Sequence, residues 1–302
     1  MLIGFIGCIE HSMLIRSKYF LLALMSFFLM ACVSVNNKMQ LVSNSYAADS
    51  DLQSCEVASV VDTDVRAQVN HKGLDPDNIA FLNWNIYKGN GDDWQQDLSS
   101  FAQNHDVMTI QEATLDDEFT GLLEKYDFNW IMNTAFYFNG TAAGVMTAAN
   151  SNAVYSCGFK VTEPLIRIPK ATLVSYYQIN GSDKKLLIAN MHGINFTFGV
   201  STYHQQLEDL YDAIKHHDGP MIVAGDFNSW SDERMLEVNE LINKLSLSSI
   251  KYPVNNKTHV FGNAIDHVFY RQLELVSNQV WQVSSSDHNP ISVNFRVQSS
   301  VF

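Results

Sequence analysis

The sequence is short of positive charge. Its 302 residues hold 19 Lys and Arg against 32 Asp and Glu, a formal net charge of -13. A protein that grips duplex nucleic acid by neutralising phosphates shows a basic face. No basic stripe is legible here, which argues against tight, processive binding of such a polyanion. It leaves room for a hydrolase whose divalent cations handle phosphate charge. Cysteine is scarce too: Cys8, Cys32, Cys55 and Cys157 match no metal motif. Internal repeats and low-complexity tracts are absent. A hydrophobic content of 46% with 12% aromatics excludes wholesale disorder. The length suits one large α/β domain or two small ones.

Residues 13–32 read "MLIRSKYFLLALMSFFLMAC". Arg16 and Lys18 form a basic region, and Tyr19 to Met30 an apolar one. That is short for a spanning helix and suits an export signal, with Met13 as an alternative start. It ends in "LMAC", which resembles a bacterial lipoprotein cleavage site. Cys32 is then the lipidated residue, and the chain is tethered on the periplasmic side of a membrane. The alternatives are an uncleaved anchor, or ordinary cleavage at Ala47-Ala48 to a soluble periplasmic or secreted form. Once exported, Cys55 and Cys157 can pair or stand as two buried thiols. Residues 33–76 read as a linker or partly ordered segment, and 77–302 as the catalytic domain.

From Ile79 onward strand and helix patterns alternate. "IAFLNWNI" and "DVMTIQEA" are apolar strands. "DDWQQDLSSFAQNH" puts Trp94, Leu98 and Phe101 on one helical face behind an acidic first turn. "GTAAGVMTAAN", "NAVYSCGF", "ATLVSYYQI" and "KLLIANMH" read as strands, the first three suited to antiparallel pairing. Tyr203 to His217 is a helix, "PMIVAG" a strand, and "SWSD" caps a helix reaching Asn243. Three more strands close the chain. Mixed α/β with two sheets fits better than strict βαβ alternation.

Polar side chains fall at the ends of these strands: Asn85, Glu112, His192, Asp226 with Asn228, Asp266, and Asp287 with His288. Any one of them reads as a turn former, a cap or a solvated strand end. Asp266 could pair with Arg271, and His192 could be a satisfied core imidazole. Together they outnumber what turns require, because a buried charge needs a partner or a metal. No basic residue follows Glu112 or Asp226 closely enough in sequence to be an obvious partner. The hard oxygens of Glu112, Asn85 and Asp287 suit Mg²⁺ or Mn²⁺. The two imidazoles are left for proton transfer or for phosphate oxygens.

The segments "NWNI", "IQEA", "NMH", "GDFN", "IDHVFY" and "SDHNP", in that order from Asn83 to Pro290, resemble the endonuclease/exonuclease/phosphatase superfamily. "RIPKATL", "GINFTFGV" and "GPMIVAGDFNSWS" narrow the likeness to the bacterial YafD-like branch. The resemblance implies a two-sheet mixed β-sandwich with helices on both outer faces. It implies a metal-dependent phosphoesterase acting on nucleic acid, a small phosphodiester or a phospholipid head group. By position, Glu112, Asn85 and Asp287 would hold the metal. Asp226 and Asn228 would meet the phosphate and the attacking water. His288, oriented by Asp266, would be the catalytic imidazole, and His192 the second one. Two departures stand out. Tyr87 occupies a position that is acidic in apurinic endonucleases. Thr162 precedes Glu163-Pro164 where deoxyribonuclease-I-like members have Arg, so Arg167 or Lys170 would have to supply that phosphate contact.

Two rivals stand beside this reading. One is a non-catalytic module that kept the fold. The other is a membrane-surface phospholipid hydrolase of the sphingomyelinase type, against which no exposed apolar hairpin is legible in the sequence.

Overall fold

A computed structural model describes residues 33–36, 38, 40–45, 55 and 72–301. The export signal and Cys32 lie outside the described residues. Sheet A joins β1 (Val33–Ser34), β2 (Leu41–Ser43), β3 (Ile79–Asn85), β4 (Val107–Thr114), β5 (Asn129–Phe138), β6 (Thr141–Ala149), β15 (Leu273–Val280) and β16 (Ile291–Val297). Its order is β1-β5-β6-β4-β3-β16-β15, with β2 also on β5. Sheet B joins β7 (Ala153–Thr162), β8 (Pro169–Gln178), β9 (Lys185–His192), β10 (Met221–Asp226), β11 (Ser248–Ser249) and β14 (Asp266–Arg271) in the order β11-β14-β10-β9-β8-β7. A separate hairpin pairs β12 (His259–Val260) with β13 (Asn263–Ala264).

The two sheets bury one apolar layer between them, including Phe81, Ile131, Leu173, Ile188, Ile222 and Phe295. Helices α1 (Trp94–Ala102) and α2 (Asp117–Lys125) cover the outside of sheet A through Trp94, Leu98, Phe119 and Leu123. Helices α3 (Ser201–Ile214) and α4 (Asp232–Lys244) cover sheet B through Tyr203, Leu210, Val238 and Leu241. This is the four-layer sandwich that the sequence implies. Each sheet is apolar on both faces, so strands such as β3 and β10 are buried at every position. Ser231 caps α4 by accepting from the Arg234 amide.

One polar belt crosses the dry interior. Gln111 donates to Asn190 at 2.7 Å and to Asn83 at 3.0 Å, and Asn190 donates to the Met146 carbonyl at 2.8 Å. These bonds tie sheet A to sheet B directly behind the strand ends that carry the site. An alternative sheet packing would break these bonds, which disfavours it.

The structure adds elements that the sequence pattern does not announce. Helix α2 and strand β5 fill residues 115–138, where neither period is clean. The middle of β5 is buried on both faces, so it shows no alternation. Within 33–76, β1 and β2 extend sheet A beside β5, so part of that segment is packed. Phe261 stands 86% exposed at the turn between β12 and β13. It is one exposed ring on a hairpin whose strands are His259–Val260 and Asn263–Ala264. Two-residue strands leave too short a pattern to read.

Cys55 and Cys157 form a disulfide across 102 residues. Closing so long a loop restricts the unfolded chain. Cys157→Ser is expected to lower stability by about 2–4 kcal/mol. Urea denaturation should show the same loss for the reduced wild-type protein. Equal stability of reduced and oxidised forms would contradict it.

Candidate active site

Strand register brings the site together. In sheet B, Asp226 pairs with His192 across a parallel ladder and with Asp266 across an antiparallel one. In sheet A, Asn85 pairs with Gln111, next to Glu112. Glu112 itself lies where the β4–β6 register shifts, at φ 53°, and Asn228 is also left-handed at φ 49°. Both are costly for residues with a Cβ, and both re-aim a polar side chain. Gly225, at φ 152°, has a different reason. A Cβ there would lie 1.9 Å from the Met191 carbonyl oxygen on the neighbouring strand. Its small size lets β9 and β10 run close enough to bring His192 to Asp226.

The buried Asp226 carboxylate is the centre. Its Oδ2 accepts from the Asn85 amide at 3.1 Å and lies 3.4 Å from His192 Nε2 and 3.9 Å from His288 Nε2. Its Oδ1 accepts from the Asn228 backbone amide at 2.9 Å. The Asn228 side chain donates to the Gly193 carbonyl at 3.0 Å. His288 Nδ1 meets Asp266 Oδ2 at 2.8 Å, so Asp266 pairs with this ring and not with Arg271. Glu112 Oε1 stands 3.9 Å from His192 Nε2. Asp287 is exposed on the adjoining bend and adds negative charge beside His288. Of the sequence-marked residues, it alone is exposed.

Sequence reasoning named Lys170 only as a phosphate contact and missed Lys88. Lys88 donates to Glu112 Oε2, and Lys170 Nζ lies 2.8 Å from His192 Nε2. It also missed Arg234, fully buried, whose guanidinium donates to the carbonyls of Ile194 at 2.6 Å, Asn228 at 2.8 Å and Asn195 at 3.0 Å. That fork fixes the loops after β9 and β10.

Charge separates the two imidazoles. Burial first, then the Lys170 charge, pushes His192 well below its usual range, so it is neutral. Its Nε2 lone pair accepts from the Lys170 ammonium. Burial pulls His288 down, but the carboxylates of Asp266 and Asp226 push harder, and it rises to about 10. Burial raises Asp226 to about 6. Burial would also raise Glu112, yet Lys170 and Lys88 bring it below its normal value.

A base whose folded pKa is raised stabilises the fold fully below its unfolded value. That stability is lost as pH rises through the folded value. Metal-free protein is therefore expected to weaken steadily between pH 6.5 and about 10 as His288 deprotonates. Denaturation in chelator across that range checks this. His288→Ala should flatten the slope, and an unchanged slope would refute the assignment.

The residues fit a hard divalent cation. The Glu112 carboxylate already gathers the positive charge of Lys88 and Lys170, as an anionic ligand would gather a metal. The side-chain oxygen of Asn85 accepts from the Tyr87 amide at 3.1 Å, and its nitrogen donates to Asp226. A second grouping, Asp226, Asp266 and His288, has ligand atoms within 4.8 Å of one another. The donors are carboxylate, amide and imidazole, with no thiolate, a set suited to a divalent cation.

Residues 82–288 match the model of the Endonuclease/Exonuclease/phosphatase family. The chain belongs to that family. Endonuclease/exonuclease/phosphatase proteins are metal-dependent phosphoesterases, among them nucleases and phosphatases. Within the family this chain is 41% identical over 226 residues to a UPF0294 protein of Vibrio campbellii, covering 74% of this chain and 79% of the relative. It is 36% identical over 235 residues to UPF0294 protein VV2535 of Vibrio vulnificus, covering 78% and 81%. The human Nocturnin catalytic domain with bound sulfate superposes with a TM-score of 0.58 at 18% identity, over 77% of this chain and 99% of that one. A mannosyl-6-phosphatase of Bacteroides thetaiotaomicron gives 0.55 at 16%, over 72% and 99%. At such identities these two structures speak for the fold.

Proposed function

We propose that this family member is a phosphodiesterase dependent on Mg²⁺ or Mn²⁺, with water attacking phosphorus in line with the leaving oxygen. The observation that carries the reading is the convergence of two imidazoles of opposite protonation on one buried carboxylate. A diester's leaving oxygen needs a proton. His288, cationic and oriented by Asp266, can supply it from Nε2. Asp226, raised to about 6, can hold the attacking water and take up its proton. Asn228 and His192 line the position of the phosphate oxygens, and Lys170 adds charge there. Glu112 and Asn85 would hold the ion, with Asp287 nearby. When bound, the ion offsets charge on the phosphate and polarises it.

The test is a turnover screen over plasmid DNA, RNA, phospholipids, small phosphodiesters and phosphomonoesters, with Mg²⁺, Mn²⁺ or chelator. Hydrolysis of a diester that stops in chelator is the expected result. Turnover confined to monoesters, or untouched by chelator, would sink the reading. No turnover at all would favour the non-catalytic rival.

We also propose export, with Cys32 as a lipid anchor on the periplasmic side. The Cys55–Cys157 disulfide supports an oxidising compartment. Cys32→Ser should move the protein out of the membrane fraction. Unchanged fractionation with normal processing would place cleavage near Ala48 instead.

A further inference from the structure

Three loops leave the strand ends beside the site, and each exposes apolar side chains. Leu165, just before Lys170, is 47% exposed. Phe196 and Phe198, just after His192, are 50% and 84% exposed. Val254 and Phe261, before Asp266, are 64% and 86% exposed. Elsewhere on a monomer such residues scatter singly, whereas grouped ones mark a contact surface.

The loops are bound to one another. The Asn195 amide donates to Glu163 Oε1 at 2.6 Å, joining the first two loops. Trp230 Nε1 donates to Asn195 Oδ1 at 2.9 Å, and the Trp230 ring meets Phe261 edge-on at 6.0 Å, joining the third. Arg234 stacks under Trp230 at 4.4 Å. Asn289, next to His288, donates to the Asn256 carbonyl at 2.7 Å and to Thr258 Oγ1 at 2.9 Å. The exposed rings are thus presented by anchored backbone around the mouth of the site.

Their charge is opposite to that of the chain. In residues 163–170, 193–200 and 250–265 the one acidic residue is Glu163, and it is buried. Arg167 and Lys251 are exposed there, and Lys257 and Lys170 are half-buried. The neighbouring carboxylates are Asp232, which accepts from Asn263 at 3.3 Å, and the exposed Asp287 beside His288. In a chain of net charge -13, these three loops themselves carry no exposed acid.

We propose that this rim docks on a phospholipid surface, placing the site over head-group phosphodiesters. The proposal rests on the phosphoesterase reading for its chemistry, but not for the binding itself. Aromatic and aliphatic side chains ringed by Arg and Lys suit the boundary between acyl chains and head groups. Single-stranded nucleic acid is the competing partner, since bases stack on exposed rings. Leu165 and Val254 offer no stacking face. A polyanion would also meet long-range repulsion from the acidic body, which a zwitterionic surface escapes.

The experiment uses the full chain carrying Cys32→Ser, alone and with Phe198→Ser and Phe261→Ser added. Both chains share one N-terminal segment, so a difference between them reports the rim. Flotation with vesicles of phosphatidylcholine measures binding, and bis(p-nitrophenyl) phosphate measures soluble turnover. The serine changes are expected to weaken vesicle binding by roughly tenfold or more per ring, with soluble turnover and melting temperature unchanged. Equal flotation of the two chains, with soluble turnover intact, would overturn the docking surface and leave the phosphoesterase reading standing. So would loss of binding to a single-stranded oligonucleotide with no change on vesicles. The expected loss of vesicle binding without any diester turnover would do the reverse.

Discussion

Glu112→Gln is expected to abolish turnover, by about a thousandfold or more. The substitution keeps shape and the left-handed bulge that aims the side chain. It removes the anionic oxygen around which two ammonium groups gather. A hard divalent ion binds a neutral carboxamide much more weakly than a carboxylate. Its charge stabilisation of the transition state, worth several kcal/mol, goes with it. Calorimetric unfolding supplies a readout independent of turnover. Saturating Mg²⁺ at about a hundred times its Kd should stabilise the wild type by about 2.7 kcal/mol, and the variant by little. Glu112 is partly open to water and so is Lys88, so unpairing them should cost the fold little. Wild-type turnover by Glu112→Gln at saturating Mg²⁺ would remove Glu112 from the metal site.

His288→Ala should lose about a hundredfold to ten-thousandfold in turnover, the range for a positioned proton donor. The ring is held from one side by Asp266 at 2.8 Å and faces Asp226 with its other nitrogen. Asp266→Asn should also lose activity. Its amide can offer a proton where His288 Nδ1 already carries one, which turns the ring or changes its tautomer. The variants separate on pH. Asp266→Asn removes the leading cause of the raised His288 pKa. Its pH–rate profile should therefore fall off at lower pH than that of the wild type. Full activity of His288→Ala would end the proposed mechanism. An unmoved profile in Asp266→Asn would show that Asp266 merely packs.

Much of the site was legible because strand ends are conspicuous. Asn85, His192, Asp226 and Asp266 interrupt apolar runs, and such interruptions need a reason. Helix α1 was legible from its 3.6-residue period, and α4 from the cap at Ser231. The pairings of Lys88 with Glu112 and of Lys170 with His192 were not. A search for bases near Glu112 or Asp226 along the chain finds none. Lys88 lies 24 residues before Glu112, and Lys170 lies 22 before His192. Arg234 reads as a surface helix residue until the loops after β9 and β10 fold over it. Asp287 sits beside His288 in sequence and is exposed in the structure.

By itself the sequence determined the chemical kinds at the strand ends, their order and the alternation of helix and strand. These are local properties, set by side-chain type and short-range periodicity. Tertiary structure decided which strands share a sheet, and so which polar groups meet. Asp226 touches His192 because β9 and β10 pair in parallel, and Asp266 because β14 returns antiparallel on the other side. It also decided protonation. His192 and His288 are the same side chain, and their opposite charge states come from what surrounds each: burial and then an ammonium for His192, and two carboxylates that outweigh burial for His288. Desolvation and charge act through space across contacts far apart in the chain, and residue order alone does not encode them.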